Sequence, residues 1–484
     1  MKNTSSLLLV LAIVFSSCSS SYPGAMDDPT PEAQVIRLNS LDETIELANG
    51  FYDLEAYVRG TEDALLTITA GDRKAAILLS PAVWKKAVVR GVEVTNGKLS
   101  VSASTLESSA TYEPKTVYVR AVSSGRTLIT GGDFSMLSQV EKNGGVYSDA
   151  KGEAGDCFVL SAQNGMNLAR LRLYNDPGKS AGGKSFFKGI QDEANILALA
   201  KRAKAAGMEI ELTFHYSDFW TNGGEQYKPA AWKKYTQEEL HEVMYTYTRD
   251  FLIKMRDQGT TPQYVSIGNE IQSGILFGTL KGDKPTEKVN GYCSDMNNLA
   301  SLLSQASKAV REVCPESKII LHLTTSADIT VDNFKWFFTA MRNANLDYDI
   351  IGASYYPYYG NKTIEEMISE AELLASTFNK DYLFMEVGFA WNPLLEDGTS
   401  GQIANNDPYE EMTPEAQRRF MLSLTEQILA ASSHILGYIY WDPIYIAAPN
   451  CGWTVGEKNV TGNSTLFDFT GKMLPAWDAF RYNH

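Results

Sequence analysis

The chain has 484 residues, too many for one average domain, and hydrophobic residues make up 44% of it, enough for sizeable cores. Its net charge of −15 argues against a nucleic-acid partner or an anionic membrane surface. We expect a monomer with two or three domains that binds no nucleic acid.

The first 18 residues have the pattern of an export signal. Lys2 supplies a positive charge, and residues 7–15 form an apolar stretch too short to span a bilayer. Phe15-Ser16-Ser17-Cys18 resembles the lipobox of a bacterial lipoprotein, which predicts lipidation of Cys18 and a chain anchored to the cell envelope. Ordinary signal cleavage is the alternative. Residues 19–31 are polar and predict a flexible tether.

Residues 32–125 are predicted to form a small all-β sandwich, because short β-rich runs alternate with Gly, Asp and Ser. These runs are 35–38, 57–58, 65–68, 75–79, 88–94, 99–101 and 116–122. Residues 50–56 loosely resemble strands of carbohydrate-binding jelly rolls, and a spacer is the other interpretation. Trp84 is either a stacking residue for sugar or a core tryptophan.

From residue 126 to 484 the pattern alternates between strands and helices. Strands are predicted at 128–133, 168–174, 210–215, 264–267, 318–323, 350–355, 382–385 and 436–441. Helices are predicted at 157–164, 190–206, 236–256, 296–313, 331–343, 364–378 and 414–431. This α/β order predicts a closed (β/α)8 TIM barrel. The alternative is an open doubly wound sheet, but no Gly-rich phosphate loop follows the first strand.

Polar and aromatic residues gather at the predicted strand ends. Glu270 follows strand 4 and Glu386 follows strand 7, so two acids could face each other across one pocket. Carboxyl pairs cleave glycosidic bonds, and flat aromatic faces cover sugar rings. The sequence therefore favours a sugar site. Its candidate substrate-binding residues are Asp133, Arg172, Asn175, His215, Trp220, Asn269, Tyr355, Trp391 and Trp441.

Four longer stretches resemble glycoside hydrolase family 53, the endo-β-1,4-galactanases. They are residues 131–135, 164–177, 214–220 and 268–274. Residues 353–357 and 440–443 are similar to further family stretches, and the resemblance covers roughly residues 127–480. It implies a retaining enzyme with Glu270 as acid/base, Glu386 as nucleophile and the galactan backbone of type I arabinogalactan as substrate.

This chain departs from the family pattern after strands 7 and 8. Residues 386–389 read Glu-Val-Gly-Phe and residues 441–445 read Trp-Asp-Pro-Ile-Tyr, and both changes touch the cleft. No cofactor is required. Some family members bind a structural calcium after strand 7, and Asp397 is the candidate ligand, although residues 401–406 lack the family's histidine.

Two other functions remain open at this point. A barrel glycosidase of the same clan could act on another β-glycan, such as mannan or xylan. A non-catalytic glycan-binding lipoprotein would not need both acids. The spacing of Cys293 and Cys314 permits a disulfide bridge in an exported protein, with free buried thiols as the alternative.

Overall fold

The computed structural model describes residues 35–483, except 63, 80, 82–83, 106–109, 123–127, 179–187, 278–290 and 410. The predictions for the export signal, Cys18 and the tether lie outside the described residues. Within them, no helix is both long and apolar enough to cross a membrane.

Two four-stranded antiparallel sheets form the N-terminal part of the chain. Their strands are β1 Val35–Leu38, β2 Glu43–Glu46, β3 Gly50–Gly60, β4 Leu65–Ala70, β5 Arg73–Leu78, β6 Lys85–Val94, β7 Lys98–Thr105 and β8 Tyr112–Val122. The sheet orders are β1-β8-β3-β6 and β2-β7-β4-β5. Side chains from both sheets, including Leu54, Ile68 and Val119, share one buried core. Trp84 is half-buried, and the Arg59 guanidinium carbon lies 4.8 Å from its ring centroid.

Eight parallel strands, counted among the described residues, close into a barrel. In chain order, barrel strands 1 to 8 are Ile129–Asp133, Leu168–Leu173, Glu209–Phe214, Tyr264–Ile267, Lys318–Thr324, Ile350–Tyr355, Asp381–Val387 and Ile435–Tyr440. Barrel strand 8 pairs with barrel strand 1, where Gly437 lies opposite Ile129. The predicted TIM barrel is therefore confirmed. Barrel strand 7 runs beyond its predicted end, so Glu386 lies inside it.

Helices surround the barrel. They are α1 Leu137–Lys142, α2 Cys157–Gln163, α3 Glu193–Ala205, α4 Gln237–Asp257, α5 Met296–Val313, α6 Val331–Asn343, α7 Pro357–Gly360, α8 Ile364–Phe378 and α9 Pro414–Ala430. Short 3-10 helices lie at Ala230–Trp232, Ile271–Ser273, Gly462–Ser464 and Pro475–Asn483. Two-residue ladders pair Tyr147–Ser148 with Ala154–Gly155, Thr221–Asn222 with Glu225–Gln226, and Gly274–Ile275 with Gly291–Tyr292. The starts of α4 and α8 follow from capping boxes, in which Thr236 pairs with Glu239 and Thr363 with Glu366.

The sandwich packs against the barrel far from the strand ends that carry the acids. β5 contacts α9 and the C-terminal 3-10 helix, and β6 contacts α9. Lys85 Nζ lies 3.8 Å from a carboxylate oxygen of Glu426, which is near the end of α9. Because a barrel helix runs antiparallel to its strands, the end of α9 lies at the N-terminal face of the barrel. Active sites of such barrels lie at the opposite face.

Candidate active site

Glu270 and Glu386 face each other at the C-terminal face of the barrel. One carboxylate oxygen of each, together with a ring nitrogen of His322, lie within 4.8 Å of one another. The two carboxyls that the sequence assigns to separate strands thus meet in one place. Their close approach is the central feature of the site.

The turn after barrel strand 4 aims Glu270 at this point. Glu270 has a left-handed φ of 51°, which costs a residue with a side chain about 1–2 kcal/mol. Gly268 has a φ of 125°, and a Cβ there would lie 2.5 Å from Cγ2 of Ile271. Such strain persists only where the surroundings hold it in place, and it concentrates at functional sites.

Glu386 is held by two hydrogen-bond donors. Nη1 of Arg170 lies 2.7 Å from Oε1, and the Tyr356 hydroxyl donates to Oε2 at 2.9 Å. The Glu386 residue is only 4% exposed, so its orientation depends on these two partners. A buried carboxylate with a guanidinium on one oxygen and a phenol on the other suits a fixed negative group.

Glu270 has a different environment. Ser354 Oγ donates to its Oε1 at 2.7 Å. Burial, and then the negative charge of Glu386, raise the pKa of Glu270 from 4.5 to about 7. The hydrogen bonds from Ser354 and Thr324 and the charge of Arg170 act in the opposite direction but are weaker. Glu270 can therefore hold a proton near neutral pH beside a carboxylate, as a general acid must.

Arg170 connects the site to the barrel wall. Its Nη2 donates to Oδ1 of Asn269 at 2.7 Å, and its Nε lies 3.5 Å from Oε2 of Glu211. Nη1 is also 3.6 Å from Oδ2 of Asp133. The side chain is fully buried, so one guanidinium fixes groups from four barrel strands. Burying such a charge is tolerable only because it is paired on several sides.

Arg172 lies two residues further on the same strand and so points to the same face. Its Nε is 3.0 Å from Oδ2 of Asp133, and its Nη2 donates to Oδ1 of Asp442 at 2.7 Å. The guanidinium carbon lies 4.3 Å from the ring centroid of Trp441. Arg172 and Asp133 are thus brought to the site, where Arg172 binds Asp133 and Asp442 and packs against the ring of Trp441.

An aromatic wall borders the carboxyl pair. The rings of Trp220 and Trp453 are stacked with centroids 4.8 Å apart, and Trp441 lies edge-on to Trp220 at 5.9 Å. Sequence reasoning singled out Trp220 and Trp441 but missed Trp453. Trp453 lies on the long loop after barrel strand 8, where no periodic pattern marked it. Flat indoles beside two acids suit the apolar faces of pyranose rings.

His215 and Asn269 also lie at the site. His215 Nδ1 is 2.6 Å from Thr221 Oγ1, and its ring stacks on Tyr174 at 4.2 Å. Burial lowers the pKa of His215 well below 6.5, so the ring is neutral. Asn269 accepts from Arg170, and its amide nitrogen donates to the Thr221 carbonyl at 3.0 Å.

Asn175 lies at the end of barrel strand 2 and is half-buried. Its backbone nitrogen donates to the Ser217 carbonyl oxygen at 2.8 Å. Its side chain bonds to the Tyr247 hydroxyl. The structure therefore gives Asn175 a role in joining two loops, and a contact with substrate stays a prediction.

Tyr355 is not brought to the cleft, and the substrate-binding prediction for it is wrong. The Tyr355 ring packs on Phe384 and Phe420 behind the barrel wall, because alternation along the strand turns it away from the side on which Ser354 lies. Trp391 is 6% exposed, with its ring against Phe469, and a contact with substrate stays a prediction.

Glu211, Tyr356, His322 and Asp442 touch the site and were absent from the predicted set. Burial raises the pKa of Glu211 to about 7, although Thr213 Oγ1 donates to it at 2.8 Å. A sequence signal existed for Glu211, because it alternates with Thr213 and His215 on one face of a strand. No such signal existed for His322.

Asp397 does not fit a calcium site. Its Oδ2 accepts from Lys458 Nζ at 2.8 Å and its Oδ1 from Thr399, and the Lys458 contact is the main reason that the pKa of Asp397 falls to about 2. Calcium takes 6–8 oxygen ligands, whereas here an ammonium group already neutralises the one carboxylate. Of the two alternatives left open for Cys293 and Cys314, the structure has the free thiols.

Comparison with known proteins agrees with this geometry. The model of glycosyl hydrolase family 53 matches residues 129–480. The arabinogalactan endo-beta-1,4-galactanase of Cellvibrio japonicus is 29% identical over 363 residues, which cover 73% of this chain and 90% of that protein. The Bacillus subtilis endo-beta-1,4-galactanase is 26% identical, covering 74% of this chain and 86% of its own length.

Solved structures give the same result. The Ignisphaera aggregans GH53 catalytic domain is 30% identical with a TM-score of 0.67, covering 74% of this chain and 96% of that chain. The barrel, the two facing carboxyls and the family match all lie in the same part of the sequence. The chain therefore belongs to glycosyl hydrolase family 53.

Proposed function

We propose that this glycosidase is a retaining endo-β-1,4-galactanase that cleaves the galactan backbone of type I arabinogalactan. The observation that carries the retaining mechanism is the close approach of the Glu270 and Glu386 carboxyls, with oxygens within 4.8 Å. Retaining glycosidases keep their carboxyls about 5–5.5 Å apart, whereas inverting enzymes leave room for a water. The substrate rests on the galactanases to which the barrel is similar.

Glu386 is the nucleophile in this mechanism. Arg170 and Tyr356 each donate to one of its oxygens, so the carboxylate is fixed while its charge is balanced by the guanidinium. It attacks the anomeric carbon and forms a covalent glycosyl-enzyme as the bond to the leaving oxygen breaks. The carboxylate of Glu386 loses negative charge as its bond to the sugar forms, while positive charge develops on the sugar ring in the transition state.

Glu270 is the acid and then the base. With a pKa of about 7 it carries a proton for the leaving oxygen. Once Glu386 is esterified, the negative charge that helped to raise the pKa of Glu270 is gone. Glu270 then ionises more readily and takes a proton from the incoming water, which releases the sugar with its original configuration.

A polysaccharide panel tests the substrate. Reducing-sugar release should be greatest on β-1,4-galactan, with mannan and xylan as controls. Preferred cleavage of either control would assign the chain to another β-glycan. No release from any of them, with binding retained, would instead favour a glycan-binding lipoprotein.

Azide rescue tests the two roles. Glu386→Ala should be inactive on all substrates, and azide should restore turnover to a product of inverted configuration. Glu270→Ala should still react with an aryl glycoside, accumulate the glycosyl-enzyme and give a retained azide product. The opposite pair of configurations would mean that the two roles are exchanged.

We also propose that the chain is exported and held at the cell envelope by a lipid on Cys18. The lipobox-like Phe15-Ser16-Ser17-Cys18 supports this proposal. Labelled palmitate should enter the wild-type chain and not Cys18→Ser. Equal labelling of both would refute lipidation at this residue.

A further inference from the structure

A chain of hydrogen bonds runs from the barrel interior to the acid/base carboxyl. Nε2 of His322 lies 2.9 Å from Ser354 Oγ, and Ser354 Oγ donates to Glu270 Oε1 at 2.7 Å. His322 comes from barrel strand 5 and Ser354 from barrel strand 6, and both are fully buried. Neither residue belongs to the two-carboxyl mechanism described above.

The protons in this chain have one consistent arrangement. A serine hydroxyl has a single proton, and that of Ser354 is donated to Glu270. The Ser354 oxygen must then accept from His322, which requires the proton of the imidazole to be on Nε2. Nδ1 of His322 has no hydrogen-bond partner among the described residues. This fits a nitrogen that carries a lone pair and no proton, because a buried N–H group without an acceptor is costly.

We propose that His322 and Ser354 position the proton of the acid/base by keeping Oε1 of Glu270 a hydrogen-bond acceptor, which leaves the proton on Oε2. This inference rests on the proposed role of Glu270 as general acid. Only a proton on the oxygen that is free of Ser354 can be given to the leaving group. Without the chain, Oε1 is no longer held as an acceptor by Ser354, and among the described residues only the Thr324 hydroxyl is left to orient the carboxyl.

The surroundings keep His322 from becoming a proton donor itself. Burial, and then the charge of Arg170, lower the pKa of His322 well below 6.5, so the ring stays neutral. The titratable and charged groups that face Glu270 are Glu386, Arg170, Tyr356, Tyr359 and this histidine. His322 is therefore a positioning residue, and it acts through Ser354.

The test uses Ser354→Ala, His322→Met and His322→Gln in the full chain. The methionine removes the donor, and the glutamine can place an N–H near the position of Nε2. Each variant is assayed for kcat/KM across pH on galactan and on a 2,4-dinitrophenyl β-galactobioside. The dinitrophenolate leaves without protonation, so its reaction does not need the acid proton of Glu270.

Ser354→Ala and His322→Met should lower kcat/KM on galactan by about tenfold or more, as expected for losing a hydrogen bond to a catalytic charged group. On the dinitrophenyl substrate the loss should be no more than about twofold. The double variant should be no worse than Ser354→Ala, because both changes break one chain. His322→Gln should recover most of the loss.

The pH profile separates positioning from a structural role. The Ser354 hydrogen bond lowers the pKa of Glu270, so removing it should move the alkaline limb of kcat/KM to higher pH. Equal losses on both substrates, an unmoved limb, or additive losses in the double variant would overturn the proposal. If His322→Met does not fold, Ser354→Ala alone tests the proposal. The two readouts are the shift in the alkaline limb of its kcat/KM and the ratio of its losses on galactan and on the dinitrophenyl substrate.

Failure of the proposed substrate is a separate result. It would show in the wild type, which would then cleave another β-glycan better than galactan. The same variants would be compared on that glycan and on its own dinitrophenyl glycoside. The predicted ratio of losses stays the same, because it depends on the proton of Glu270 and not on the sugar.

Discussion

Glu270→Gln should remove the proposed general acid and yet make the barrel more stable at alkaline pH. Glu270 must ionise in a half-buried place beside the negative charge of Glu386, and both factors disfavour its charged form. Gln has the same shape and never ionises. Its side-chain oxygen can still accept the hydrogen bond from Ser354.

The size of the effect follows from the pKa of Glu270, which is 4.5 in an unfolded chain and about 7 in the folded one. Because the folded pKa is raised, the stability that this group contributes is fully present below pH 4.5. It is lost as the pH rises through 7. Glu270→Gln should therefore gain about 1 kcal/mol over the wild type at pH 5 and about 3 kcal/mol at pH 8.5.

The assay is urea unfolding at both pH values, followed by tryptophan fluorescence. Seven of the eight tryptophans lie after residue 125, so the signal reports mainly on the barrel. Glu211 and Asp442 also have raised pKa values, but they are present in both proteins and cancel in the difference. A gain that is the same at both pH values would refute the argument, since it would not come from ionisation.

Glu386→Gln is the matched control. It replaces the negative charge 2.7 Å from the buried Arg170 guanidinium by a neutral amide, so it should destabilise the barrel at both pH values by about 3 kcal/mol. Opposite signs for the two conservative changes at alkaline pH are the expected result. Destabilisation of equal size in both variants would mean that the two carboxyls do not differ as described.

Other changes have equally direct expectations. Tyr356→Phe removes one hydrogen bond to the nucleophile and should lower kcat about tenfold with little change in the melting temperature, as steady-state kinetics and calorimetry would show. Arg170→Met leaves the buried carboxyls of Glu211 and Glu386 without a cation and should cost about 3–5 kcal/mol in urea unfolding. Gly437→Ala, at a φ of 143°, would bring a Cβ within 2.0 Å of the Ile129 carbonyl oxygen and should lower the melting temperature sharply. A chain that begins at residue 126 should keep its kcat/KM on soluble galactan within about tenfold, because the sandwich contacts the far side of the barrel.

The fold could be predicted from the sequence because its signals are local. Strand and helix periods, capping residues and glycine stops repeat along the barrel, and most predicted bounds lie within a few residues of the observed ones. β2 was missed because Glu43-Thr44-Ile45-Glu46 has one apolar residue. It is a strand because it pairs with β7, and that pairing is not visible in any local sequence pattern.

The site could be predicted only in part. Residues at strand ends converge in any parallel barrel, so Glu270 and Glu386 were found from their place in the chain. Which side a strand-end residue points to depends on the alternation along its strand, which places Ser354 at Glu270 and turns Tyr355 to Phe384 and Phe420. Tyr355 was therefore assigned to the wrong side, while Ser354 was overlooked.

In the proposed mechanism, two glutamates of the same intrinsic chemistry act as acid and nucleophile because their partners differ in charge. Glu386 is paired with Arg170, whereas the near contact of Glu270 is the neutral Ser354. The arginine also reaches Asn269, the residue before the acid, so one side chain fixes the position of both carboxyls. Moving that charge closer to Glu270 would lower its pKa, and the carboxyl would then not hold a proton near neutral pH. The barrel therefore separates the two roles in two ways. It places one guanidinium against the carboxyl of Glu386, and it raises the pKa of Glu270 through burial and the neighbouring negative charge.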